Sequence, residues 1–247
     1  MSFTPLVSYQ GANSGRGLSP ALWAKQPRDF QDLSVGFGIT DDFLTFDDEN
    51  KWVLTQATAG TVALDVAAKG GVLLLDSNST TNNQGVQVQL GGAAGASSFI
   101  PSATSKIYYE ARIKAADIGS TTCQVFAGLA IVDTSVFASA ANSTANHIGY
   151  EAINSTAVGI HSEKAGTRSS TASAHTLVDD TYVKLGFVVD GLTSVTPFVN
   201  GVAKTAITAN IPIVALTPSF VCHSSGTTDP ILHVDWVSVY QEEQIDN

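Results

Sequence analysis

The residue types that do chemistry are thinly spread in this chain. The densest acidic cluster is TFDDENKW (45–52), with Asp47, Asp48 and Glu49. A calcium ion asks for six to eight oxygen ligands. These three carboxylates lack the interleaved spacing of an EF-hand loop, so the stretch reads as a solvated turn, with a weak structural calcium as the alternative. Asp179-Asp180 reads likewise as a turn pair before a strand. The five histidines stand at 147, 161, 175, 223 and 233. No two lie at i, i+4, and each is single in its strand or loop, so each reads as a surface or hydrogen-bonded residue. A triad needs nucleophile, histidine and acid converging, and the many serines give that search no direction. Cys123 and Cys222 sit in apolar runs, CQVFAGLAIV and SFVCHSS. They read as buried free thiols, and no CxxC or Cys/His cluster suggests zinc. GGAAGASS (91–98) carries no GK[ST] and leads to no helix, so it is a flexible loop and no phosphate cradle. These residues taken alone show no reaction centre, and no cofactor is expected.

The elements that must carry them are short strands. The chain has 247 residues, which suits one large all-β domain or two small ones. A domain of that size buries roughly 70% of the surface its unfolded chain exposes and needs no staple. Charged residues make up only 14%, and Gly, Ser, Thr, Ala and Val fill the gap. Twelve basic residues face 22 acidic ones, a formal charge of −10. Such a chain repels phosphate backbones and anionic lipid, and no basic run offsets it, so neither nucleic acid nor membrane is an expected partner. The N-terminus lacks the basic and apolar regions of a signal peptide. No apolar run approaches the ~18 residues of a membrane helix. Synthesis as a soluble protein in the cytoplasm is expected.

Residues 1–38 differ from the rest. They hold Pro5, Pro20 and Pro27 and five glycines, and Arg16, Lys25 and Arg28 make them slightly basic. Phe3, Leu18, Leu22, Trp23 and Phe30 follow neither a two-residue nor a 3.6-residue period. SPALWAKQ could form one helical turn, with Ser19 as N-cap and Pro20 at the first helical position. Aromatic side chains are costly to leave in water, so this extended arm implies a surface to bury Trp23 and Phe30 on. That surface is its own sandwich or another subunit. Arg16, Leu22, Trp23, Arg28 and Phe30 are the candidate partner-binding residues.

From residue 39 the sequence is a string of β signals. DDFLTFD and KWVLTQAT alternate. TVALDVAAKGGVLLLDS reads as two strands joined at Lys69-Gly70-Gly71. GVQVQLGG puts Val86, Val88 and Leu90 on one face. SKIYYEARIKAAD sets Ile107, Tyr109, Ala111 and Ile113 against Tyr108, Glu110, Arg112 and Lys114, apolar on one face and polar on the other. TTCQVFAGLAIVD is continuously apolar, as for a strand at the centre of a sheet. HIGYEAIN and AVGIHSE flank a turn at Asn154-Ser155, and Asn200-Gly201 is a type I′ turn signal. LHVDWVSVYQ sets Leu232, Val234, Trp236 and Ser238 against His233, Asp235, Val237 and Val239. Only FASAANSTANH (137–147) could hold a short helix, and it reads better as an exposed loop. Turn residues recur every 8–12 positions, the spacing of a β-sandwich. Residues 39–243 are therefore expected to form one antiparallel sandwich, followed by a short tail at 244–247.

Three stretches, in order, carry a family resemblance. KIYYEARIKA (106–115) resembles the "YFEARIK" strand of the concanavalin A-like lectin/glucanase superfamily. YVKLGFVVDG…TPFVNGV (182–202) is similar to its DG hairpin and F-x-N-G turn, and HVDWVSVYQ (233–241) to its closing "IDWVRVYQ" strand. With DDF at 41–43 as an opening strand, the match spans about 200 residues. The resemblance implies a two-sheet jelly-roll sandwich. In its glucanase branch, a strand bearing Glu-x-Asp-x-x-Glu supplies nucleophile, helper and acid, and retention needs carboxyls ~5–5.5 Å apart. The corresponding stretch here is GYEAINST (149–156). Glu151 takes the first position, but Ile153 and Ser155 or Thr156 fall on the other two. Hydrolysis by the family mechanism is not expected. The lectin branch implies sugar binding near a calcium ion.

With no reaction centre, a structural or binding role remains. In style the chain resembles virion proteins of tailed phages, which use such domains as capsid decoration, head-fibre or tail components and typically assemble as trimers. The leading expectation is a non-enzymatic capsid decoration (cement) protein at the virion surface. Its arm would clasp the major capsid protein, with a homotrimer favoured. The alternative is a carbohydrate-binding module of a tail or head fibre, its surface-glycan site framed by 137–147 and 163–176. A β-glucanase-like hydrolase is third.

Overall fold

The computed structural model describes residues 16–24, 26, 35–48, 50–91, 99–118, 123–133, 145–171 and 173–242. In chain order they form one helical turn and sixteen strands. These are α1 (Pro20–Trp23), β1 (Gly36–Asp41), β2 (Trp52–Ala57), β3 (Thr61–Leu64), β4 (Leu73–Asp76), β5 (Gly85–Leu90), β6 (Lys106–Ala116), β7 (Gln124–Ala130) and β8 (His147–Ile153). Then come β9 (Ala157–Lys164), β10 (Thr167–Ser170), β11 (His175–Thr176), β12 (Thr181–Asp190), β13 (Ser194–Val199), β14 (Val202–Ala203), β15 (Thr217–His223) and β16 (Ile231–Glu242).

The strands make two eight-stranded antiparallel sheets. Sheet I runs β14-β13-β12-β6-β16-β4-β3, with β1 also paired to β16. Sheet II runs β10-β9-β8-β7-β15-β5-β2, with β11 also on β9. The alternation read in β6 holds: Ile107, Tyr109, Ala111 and Ile113 enter a single buried cluster with Val125, Ala127 and Leu129 of β7 and Ile148 and Tyr150 of β8. Strand β7 is buried along its whole length at the middle of sheet II. Tyr150 ties the layers together, because its hydroxyl reaches the backbone oxygens of Gly186 (2.8 Å) and Phe198 (2.9 Å) in sheet I. The β13–β14 turn has Asn200 at φ 49° and Gly201 at φ 77°, the left-handed pair of a type I′ hairpin. Cys123 and Cys222 are free and buried.

Two sequence expectations change. Strict alternation in the closing strand fails, because the pairing of β16 with β6 shifts register between Val234 and Trp236. One extra residue swaps the faces beyond it. Leu232, Val234, Val237 and Val239 therefore share the core, and Asp235 turns to the outer face. The sandwich also begins earlier than residue 39, since Gly36 already pairs with Glu242.

The outer, polar face of β6 is not bathed in solvent. Tyr108 and Glu110 are buried there beneath α1. Ser19 is the N-cap by position, but its hydroxyl caps nothing. Its backbone N–H donates to Glu110 Oε2 at 2.9 Å, and Trp23 Nε1 donates to the same oxygen at 2.8 Å. Trp23 stacks on Tyr108 with centroids 5.9 Å apart. Leu22 seats against Gly186, where a Cβ would lie 2.5 Å from the leucine methyl.

Candidate functional site

The titratable side chains converge on the outer face of sheet II, at its β8–β9–β10 end. Alternation in β8 sends Ile148, Tyr150 and Ala152 inward and leaves His147 and Glu151 on the opposite face. The β8–β9 and β9–β10 registers pair His147 with Glu163 and Glu163 with Arg168. Period-two geometry then places His161, Glu163 and Arg168 beside His147 and Glu151. Gly149 between them has no side chain, and the Phe126 ring lies where a Cβ would stand, 2.7 Å from it. That ring meets His147 edge-on at 5.6 Å.

Arg168 is the hub. Its Nη1 donates to Glu151 Oε2 at 2.8 Å and its Nε to Glu163 Oε2 at 3.0 Å. Its Nη1 also lies 3.1 Å from His161 Nδ1. His147 Nε2 approaches Glu151 Oε1 to 2.6 Å as an ion-pair contact, while Nδ1 donates to the Ala145 carbonyl at 2.7 Å. The two carboxylates are almost completely buried. Burial alone would raise the Glu151 pKa, but contact with His147 and the charges of His147, His161 and Arg168 bring it down to about 2. For His161, burial dominates and lowers the pKa to about 4, against an opposing pull from Glu151.

This arrangement does not hold the parts of a retaining glycosidase. Glu151 stands at the first position of the glucanase pattern. Ile153, however, packs with Phe126, Ala130 and Val221, and Ser155 Oγ accepts from the Ala157 amide in a turn. The second carboxylate on this face is Glu163, and it shares a guanidinium with Glu151. An ionised Glu151 suits the first, nucleophile's position, but Ser155 or Thr156 stands where the acid's carboxyl is needed.

Two cavities adjoin the cluster. A smaller one of about 240 Å³ is lined by Glu151, Ile153, Gly159, His161 and Thr171. A larger groove of about 1040 Å³ runs between Ser169–Ala174 and Ala203–Ala209; Ser169, Ser170, Thr171, Lys204 and Thr205 line it. Thr171 borders both, and its buried hydroxyl has no hydrogen-bond partner among the described residues. The groove thus lies against the 163–176 segment read as a sugar frame. Residues 137–144 of the other framing segment lie outside the described residues.

The arm's candidate residues are elsewhere, on the outer face of sheet I. Leu22 and Trp23 are buried, 1% and 4% exposed, on the chain's own sandwich. Of the two surfaces considered for Trp23 and Phe30, Trp23 lies on the chain's own sandwich. Arg16 donates through Nε to Asp235 Oδ1 at 2.9 Å and through Nη2 to the Gly70 carbonyl at 2.7 Å. Arg112 holds the other Asp235 oxygen. Arg28 and Phe30 lie outside the described residues. In the 45–52 turn, Asp47 Oδ1 accepts from the Asn50 amide at 2.9 Å. Among the described residues no group of three or more His, Cys, Asp or Glu could hold a metal ion.

The ion cluster was not read from the sequence. Its one available signal was the His147–Glu151 spacing of four, which puts both on the same strand face. Glu163 and Arg168 join through strand register alone.

No protein-family model matches the chain, and no curated protein matches its sequence. Solved structures do match its fold. Peanut lectin superposes with a TM-score of 0.61 at 13% identity, covering 86% of this chain and 99% of the lectin. An endo-1,3-beta-glucanase from Streptomyces sioyaensis gives 0.57 at 14% identity, covering 83% and 96%. A protein of unknown function from Shewanella oneidensis MR-1 gives 0.58 at 12%, covering 86% and 90%. The fold is therefore the concanavalin A-like jelly roll of lectins and glucanases.

Proposed function

We propose that this jelly roll is a glycan-binding module that does not hydrolyse what it binds. The observation that carries the reading is the open, hydroxyl-lined groove beside β10, next to a carboxylate that is locked in an ion pair. Ser, Thr and backbone groups offer paired donors and acceptors to sugar hydroxyls, and small side chains leave room for a ring. The match in fold to a lectin and to a glucanase supports the ligand class. The test is a glycan array with the whole chain, followed by Ala206→Trp and Thr205→Trp to fill the groove. At least a tenfold loss of binding is expected, with no sugar released from β-glucans by the unaltered protein. A blank array, or binding that ignores both substitutions, sinks the reading.

A second reading is attachment to a virion shell as a decoration protein. It draws on the clamp at Arg16, which pins the chain to sheet I at that residue. A clasp on a capsid subunit requires such a fixed tether. Mass spectrometry of purified particles, with copy number set against the capsid protein, tests it, and absence of the chain from particles ends it.

A further inference from the structure

Strand β10 is the four-residue edge of sheet II and pairs only with β9 among the described strands. It is also one wall of the groove, through Ser169 and Ser170. From β10, Arg168 alone reaches the charged cluster, and it makes three kinds of contact there: Glu163, Glu151 and His161. The third is conditional. A guanidinium only donates, so His161 Nδ1 has to accept, and the ring proton sits on Nε2. A second ring proton would face Nη1 with a proton and a positive charge at 3.1 Å.

We propose that His161 is an acid-sensitive latch for β10: protonation of its Nδ1 displaces Arg168 and frees the strand that forms one wall of the groove. The groups facing His161 set the outcome. They are His147 and Glu151 on β8, Glu163 on its own strand, and Arg168 on β10. The unprotonated ring leaves the two carboxylates to Arg168 and His147. A positive ring competes for Glu151, adds repulsion against Arg168, and leaves β10 with fewer side-chain anchors. The low pKa of His161, about 4, agrees with a ring kept neutral by burial and by this neighbour. Besides its backbone pairing with β9 and one bond from Asn210 Nδ2 to Ser169 Oγ at 2.9 Å, β10 is lightly held: Thr167 and Ser170 are exposed and its other edge is unpaired among the described strands. The inference holds whether or not the groove takes a glycan.

The test is amide hydrogen exchange of the whole chain, corrected for the intrinsic pH dependence of exchange, from pH 7 to pH 4. Residues 167–170 report the latch and residues 107–113 of β6 report global stability. Across the His161 titration, protection of 167–170 should fall at least tenfold further than that of β6, which follows the global loss. In His161→Gln, whose carbonyl accepts from Arg168 at every pH, the step should vanish. Should that variant fold poorly, His223→Gln in an otherwise unaltered chain serves instead, and there the β10 step should persist. Constant protection of β10 through the titration overturns the latch. So does a step that survives in a folded His161→Gln chain, or one lost with His223.

Discussion

Arg168 separates two buried carboxylates that would repel each other without it. Removing one partner of a buried pair costs about 3–5 kcal/mol, so Arg168→Ala should lose a stability of that order, read as a lower urea midpoint at unchanged slope. A loss under about 1 kcal/mol would mean that His147 and water suffice. The pH profile follows from the same groups. Glu151 has a folded pKa below its ordinary 4.5, so its contribution is full above about 4.5 and is lost as pH falls toward about 2. His161 and His223 each drop from 6.5 to about 4. Their contributions are full above 6.5 and are lost as pH falls toward 4. Melting temperature should therefore be level near neutrality and decline between pH 6.5 and 4. A level melting temperature through that window would contradict the burial of both rings. Glu151 itself was legible in GYEAINST, because one strand carried the pattern. Its partners were not, because β9 and β10 meet it through turns at Asn154-Ser155 and Ala165-Gly166, whose geometry fixes register only once folded.

Segment α1 shows what a binary pattern conveys and what it leaves out. The polar face of β6 was correctly separated from its apolar face, yet Glu110 is fully buried because a distant segment covers it. Periodicity reports which residues share a side and says nothing of what lies over that side. The same limit explains β16, where one bulge residue, Asp235, reverses the faces of all that follow. Trp23→Ala should cost about 3–5 kcal/mol. It removes a stacked ring and leaves the Glu110 carboxylate with one donor, Ser19 N. Gly186→Val should unseat Leu22, since its Cβ would also meet the Tyr109 carbonyl at 2.8 Å. Deleting residues 1–24 should leave Tyr108, Tyr240 and Phe198 facing water around a carboxylate. The measurable outcomes are dye binding to apolar surface and self-association by light scattering. A truncated chain that stays dark and monomeric would show that α1 contributes little.

At the scale of the molecule, the two-sheet fold was legible because three motifs and the turn spacing agree over most of the chain, whereas function lies in side-chain placement, of which fold matches at 12–14% identity say nothing. A formal charge of −10 over 247 residues repels other anions at long range. The order of the strands carries a further consequence. Strand β16 lies between β6 on one side and β4 and β1 on the other, and among the described strands it comes after all the others in sequence. During synthesis, at roughly 5–20 residues per second, β1, β4 and β6 wait about 6 to 40 seconds without the strand that joins them. Sheet I thus closes only after β1 to β15 have been made, and the nascent protein needs a chaperone's shelter more than a chain of local hairpins would. A chain stopped before residue 231 should accumulate insoluble or chaperone-bound.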